Sequence, residues 1–147
     1  MSERSDPIVR VKPEELEALI GRIPYARFLG LRPELRGDEL TVVLPFIERN
    51  IGNPMLPALH GGVIGALMEL TAVAQIYVSQ GAQRLPKTID VSIDYLRSGK
   101  PADCFARARV TRLGRRIANV AVEAWQFERA DPIATMRGHF LVASGEE

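Results

Sequence analysis

The sequence is poor in the residues from which most recognisable chemistry is built. Its 147 residues include one cysteine, Cys104, which excludes an internal disulfide and a zinc site made from thiolates. Two histidines, His60 and His139, are too few for a histidine-rich metal centre. No Gly-x-Ser-x-Gly turn occurs, so the serine nucleophile elbow is missing, and Cys104 has no histidine near it in sequence. A net charge of +1 gives no basic excess to hold nucleic acid. The first residues lack the apolar stretch of a secretory signal, so a cytoplasmic protein is expected. There is no internal repeat and no low-complexity linker. What remains is ordinary globular composition, 46% hydrophobic and 25% charged. It predicts an N-terminal extension over residues 1–12 and a single domain over residues 13–147.

One local scarcity organises the chain. No lysine or arginine lies between Arg49 and Arg84, and from His60 to Gln80 the only formally charged side chain is Glu69. No proline interrupts this run, while Pro54 and Pro57 stand just before it. The pattern predicts one helix with apolar residues on every side, buried all round. The run is nearly long enough to cross a membrane, but Glu69, Thr71 and Gln75 inside it, with no second such segment, argue for a core helix. A carboxylate is costly to desolvate there, and no basic residue close in sequence can pair with it. Gly65, Ala66, Ala72 and Val73 lie three or four positions from Glu69, so it stands on a face of small residues with room beside it. A buried acid beside free space is a functional-site candidate; a core Glu that reaches water or a distant arginine is the plainer account.

The start of this helix points the same way. His60-Gly61-Gly62 removes side-chain bulk where the first backbone N–H groups are free to meet an anion or a carbonyl oxygen. Glu69 is about 13 Å further along the axis by helix rise. One chain therefore cannot bring both to one small atom. A second copy of the helix, running alongside, would supply its N-terminus to this acid.

The remainder reads as α+β. Pro13 opens a helix over residues 14–22 with a stripe of Leu16, Leu19 and Ile20. Residues 25–30 connect it to a hairpin, residues 29–35 and 39–46, turning at residues 36–38. Residues 47–59 form a loop long enough to be functional. Strands follow at 88–96, 104–111, 117–127 and 133–143, each alternating apolar and polar with short turns between, as antiparallel strands with one wet face do. A sheet of five or six strands around one helix leaves it partly open, and a second subunit would complete the cover.

Taken together, Asn53…His60-Gly61-Gly62…Leu67-Met68-Glu69-Leu70-Thr71-Ala72, Tyr95-Leu96-Arg97-Ser98-Gly99 and Gly114-Arg115-Arg116 resemble the hotdog-fold acyl-CoA thioesterases of the phenylacetate-degradation type. The likeness runs from about Pro13 to Ala143, and the acid nine residues after the histidine is its most specific mark. It implies a hotdog fold, an antiparallel sheet of five or six strands wrapped around the long helix. It further implies hydrolysis of an acyl-CoA or aroyl-CoA thioester by a dimer or dimer of dimers, with coenzyme A only as part of the substrate and no other cofactor or metal. Glu69 would act as nucleophile or general base, a backbone N–H of Gly62 or Gly61 would polarise the carbonyl, and His60 and Asn53 would orient substrate or water. The polar loop residue departs from the usual pattern, since Asn53 stands seven positions before His60. An acyl-CoA-binding module without catalysis, or a hydratase acting on an enoyl-CoA, would use the same fold; no nucleic-acid or membrane partner is expected.

The chemistry also fits the residues directly. A thioester carbonyl gains negative charge as it is attacked, and fixed N–H donors at a helix start match that charge best in the transition state. Arg97 and Ser98, past one strand end, and Arg115 and Arg116, at another turn, are either solvated turn residues or a cradle for the phosphates of coenzyme A. Thr71 could bond water beside Glu69 or its own helix backbone. Met55, Leu56, Met68 and Tyr77 are candidates for an acyl pocket or simply core. His139 reads as structural, Asp90 and Asp94 as wet sheet surface, and Trp125 and Phe127 as core or interface aromatics.

Overall fold

The computed structural model describes residues 11–37, 39–80 and 84–142. Helix α1 (Pro13–Arg22) and helix α2 (Pro24–Leu29) each begin on a proline, whose fixed φ suits a first helical turn. Leu16, Leu19 and Ile20 are buried as the stripe predicts. Gly30, at φ 72°, ends α2 in the left-handed region that glycine enters without a Cβ clash. Strands β1 (Arg32–Arg36) and β2 (Glu39–Leu44) form the expected hairpin. After the central helix α3 (Gly61–Ser79) come β5 (Lys87–Tyr95), β6 (Cys104–Leu113), β7 (Ile117–Trp125) and β8 (Ala134–Leu141). Six strands form one antiparallel sheet in the order β1-β2-β6-β7-β8-β5. Most of the expected N-terminal extension, residues 1–10, and the tail beyond Val142 lie outside the described residues, although Val11 itself is buried.

The inner face of the sheet is carpeted with small residues, and this lets the helix lie close. Ala106, Ala118, Ala124 and Ala134 are fully buried, and α3 packs mainly across β6 and β7 with Leu67, Met68 and Ile76 pressed into that carpet. Each such side chain contributes roughly 1.5–3 kcal/mol by leaving water. This is the hotdog arrangement.

Two expectations change. The helix is not buried all round within one chain: Gly62 is exposed, and Gly65, Ala66, Glu69 and Leu70 are only half-buried, so one stripe remains open. Its length and composition would suit a bilayer, but 61% of it is buried inside the fold. The loop before it is also more ordered than a plain connection. It holds a 3₁₀ turn (Glu48–Asn50) and a small antiparallel pair, β3 (Ile51–Asn53) and β4 (Ala58–Leu59). Arg49 anchors it to α2 by donating to the Phe28 carbonyl at 2.7 Å while lying over the Phe28 ring.

The outer face of the sheet is polar. Arg107 pairs with Glu39 at 3.3 Å and donates to Thr41. His139 meets Asp90 at 2.7 Å, the acid it lacked in sequence being supplied by the neighbouring strand. Trp125 stacks on Phe105 on this face, and Phe127 is 71% exposed, so neither is a core aromatic of the protomer. A cleft of about 380 Å³ lies over Ala121 between Arg107, Arg109, Arg129 and Arg137, on the side of the sheet away from α3.

Candidate active site

The start of α3 is assembled from four separate stretches of chain. His60 is its N-cap, and its imidazole Nδ1 accepts from the Gly62 N–H at 2.9 Å, taking the place of the serine or aspartate that more often caps a helix. The His60 N–H donates to the Asn50 carbonyl at 2.8 Å, and the Leu59 N–H to the Gly99 carbonyl at 2.9 Å. Tyr95, the last residue of β5, donates its hydroxyl to the Gly61 carbonyl at 2.7 Å. The Gly61 N–H has no hydrogen-bond partner among the described residues.

Glycines make this crowding possible. A Cβ on Gly52 would stand 2.7 Å from His60 Cα, and one on Gly62 would stand 2.9 Å from His60 Nδ1. Both distances are inside carbon or nitrogen contact, so His60 can sit where it does only because neither neighbour has a side chain.

Glu69 faces the open stripe of the helix. It is half-buried and makes no hydrogen bond or ion pair among the described residues. The space that its small neighbours leave is partly filled on one flank, where Ile93 Cδ1 lies 3.0 Å from the Cβ position of Gly65. No group of three or more metal-ligating side chains occurs among the described residues. Burial pushes the Cys104 thiol up to about 12, so this cysteine is no nucleophile near neutral pH.

The fold therefore brings together His60, Gly61, Gly62 and the turn carrying Arg97 and Ser98. That turn is held by Gln126, whose side chain accepts from Lys100 N and donates to the Lys100 and Ala102 carbonyls. Both Arg97 and Ser98 are exposed. Three other candidates stand apart from this group within the protomer. Thr71 is fully buried and its hydroxyl donates to the Leu67 carbonyl at 2.6 Å, the backbone bond open to any helical threonine. Arg115 and Arg116 sit at the β6–β7 turn, at the end of the sheet opposite Tyr95; the register from Tyr95 to Lys87 puts roughly 26 Å between that end and their own chain's His60. Asn53 is exposed, and its side-chain oxygen accepts from Met55 N at 3.0 Å, closing a turn within its own loop.

Tyr95, Gly52, Asn50 and Gln126 are the site-forming residues that sequence reasoning did not select. Asn50 is 5% exposed, directly behind His60, and its amide nitrogen has no partner among the described residues. Met55 and Leu56 are 90% and 65% exposed at the loop tip, whereas Met68 and Tyr77 are core. Beside this loop an open groove of about 460 Å³ is lined by Phe46, Glu48, Ile51, Pro54, Pro57 and Pro101.

Comparison with known proteins agrees with this architecture. Residues 56–133 match the family described as the thioesterase superfamily. The chain is 31% identical over 122 residues to the medium/long-chain acyl-CoA thioesterase YigI of Salmonella typhimurium, covering 73% of this chain and 78% of that protein. A crystal structure of a Chromobacterium violaceum protein is similar at 36% identity and a TM-score of 0.72, over 90% of this chain and 93% of that one. The PaaI protein of the Escherichia coli phenylacetic acid degradation operon shares the fold at a TM-score of 0.77 and 17% identity, over 90% and 93% of the two chains. With the family profile covering more than half of its length, the chain belongs to the thioesterase superfamily and is a hotdog-fold thioester hydrolase.

Proposed function

We propose that this protein hydrolyses acyl-CoA thioesters to free acid and coenzyme A, and that medium- and long-chain acyl groups are its first candidates. The observation that carries the reading is Glu69: a carboxylate without a partner among the described residues, on a stripe of the core helix that those residues leave open. The acyl preference follows the name of the YigI relatives, at 30–31% identity, in preference to the more distant aromatic-pathway protein. The groove of Phe46, Ile51, Pro54 and Pro57 offers an apolar wall beside the helix start for such a chain.

In this mechanism Glu69 acts on the thioester carbonyl carbon, as nucleophile or as base toward water. The carbonyl oxygen is held by the first N–H groups of α3, where the unsatisfied donors and the helix dipole favour the charge it gains. Gly61 N–H is free for this, and Gly62 N–H becomes so if the His60 ring turns aside. Because roughly 10–12 Å separates these donors from Glu69 along one helix, donor and acid come from different protomers. A homodimer is supported by β5: among the described residues it is an edge strand of nine residues, with Ile89, Val91 and Tyr95 exposed and Leu96 exposed just beyond it, the kind of edge that a second copy covers. Arg97 and Ser98, exposed on the turn beside the helix start, are the candidates to hold the phosphates of coenzyme A.

The test is thiol release from a panel of acyl-CoA and aroyl-CoA substrates. Wild type should turn over at least one of them, and Glu69→Gln should lose on the order of a hundredfold or more in kcat with its folding intact. Equal turnover by Glu69→Gln would remove this residue from the chemistry.

A further inference from the structure

We propose that Tyr95 is a positioning residue that aims and strengthens the carbonyl-binding N–H of Gly62. The inference rests on the thioesterase reading above. The geometry is that of a single peptide unit. The Gly61 carbonyl and the Gly62 N–H belong to the same planar amide, so fixing one fixes the direction of the other. Tyr95 Oη holds the oxygen end at 2.7 Å, and His60 Nδ1 occupies the hydrogen end at 2.9 Å. A donor on the oxygen also polarises the amide and makes its N–H a better donor in turn.

Folding alone does not require this bond. The Gly61 carbonyl is in the first turn of α3, where the helix supplies a donor from the residue four positions on. The tyrosine is 52% exposed, so its hydroxyl could bond water instead. Its ring nevertheless packs at the helix start, with Cζ and Oη both 3.3 Å from the Cβ position of Gly61, close enough that a side chain there would push the ring outward. Two glycines flanking one peptide, a phenol from a different strand on its oxygen, and a displaceable imidazole on its nitrogen describe an amide prepared to present its N–H. When a thioester oxygen takes the place of the imidazole, the tyrosine is still in position behind the peptide.

Tyr95→Phe tests this, because it keeps the ring and its packing and removes only the hydroxyl. Thiol release from the best acyl-CoA substrate should fall about tenfold in kcat with KM within about twofold, the signature of an interaction made in the transition state. In the ligand-free protein, the Gly62 amide resonance should move in a proton–nitrogen NMR spectrum while resonances of β6 and β7 stay in place. Unchanged kcat in an otherwise active enzyme, a loss confined to KM, or an unmoved Gly62 resonance would each overturn the assignment while leaving the thioesterase reading standing. A wild-type protein that releases thiol from no acyl-CoA would overturn both.

Discussion

Replacing Gly52 by alanine adds one methyl group at the back of the site, and the structure sets its size of effect. The new Cβ would stand 2.7 Å from His60 Cα, 2.9 Å from its Cβ and 3.0 Å from its Cδ2. Carbon atoms settle at about 3.5 Å or more, so the closest approach is short by about 0.8 Å. The atom in the way is backbone, so no rotamer change relieves it. Either β3 or the His60 segment must shift, and both are tied: His60 N donates to Asn50 O, and Ile51 pairs with Leu59. Overpacking of this kind costs about 1–3 kcal/mol, which in a domain of this size lowers Tm by roughly 2–12 °C. Displacing a substrate-positioning group by something near 1 Å can cost up to about a hundredfold in rate. Thermal unfolding and acyl-CoA turnover of Gly52→Ala should both report the change. Gly21→Ala is the matching control, since a Cβ there meets nothing within 4 Å and a helical alanine should stabilise by about 0.5–1 kcal/mol. A Gly52→Ala protein with wild-type Tm and wild-type turnover would refute the claim that this glycine exists to admit His60.

Thr71→Val should leave turnover within about twofold of wild type, because the hydroxyl it removes serves only the Leu67 carbonyl inside the helix; a large selective loss of kcat would return Thr71 to the site. Native Cys104 should be silent toward Ellman's reagent at pH 8 and react fully once the protein is denatured, since its thiol is buried and pushed up to about 12. The same shift has a sign in stability: an unfolded thiol ionises near 9.0 and the folded one near 12, so the contribution of the protonated core thiol is intact below the first value and is lost as pH rises toward the second. The unfolding free energy from urea titrations should therefore fall across that alkaline window by up to about 1.4 kcal/mol per pH unit from this group, and Cys104→Ala should lack that part of the slope.

The elements were legible because their periodicities were clean. Leu16, Leu19 and Ile20 mark one helical face, and Cys104, Ala106 and Ala108 mark one strand face; both patterns follow directly from the geometry of the backbone. Glu69 and His60-Gly61-Gly62 were legible because a lone acid and paired glycines are out of keeping with a core helix. The misses are contacts between stretches distant in sequence. Tyr95 lies 34 residues from Gly61, and nothing in an alternating strand says that its last phenol turns to a helix carbonyl. The Asp90–His139 pair is set by strand register, across 49 residues. Arg115 and Arg116 looked like partners of Arg97 because all three sit at turns; the sheet puts those turns at opposite ends. The bond from Met55 N to the Asn53 side-chain oxygen is a further contact that the loop sequence does not announce.

The cap on the central helix has a consequence for the face it turns outward. A ring nitrogen that accepts from a backbone N–H keeps its lone pair for that purpose, so the imidazole of His60 carries its proton on the other nitrogen, Nε2. For as long as the cap is in place, the exposed edge of the ring is thereby a donor, held in that tautomer by the helix it closes. Serine or aspartate at this position would end the helix equally well and show an arriving substrate no such N–H.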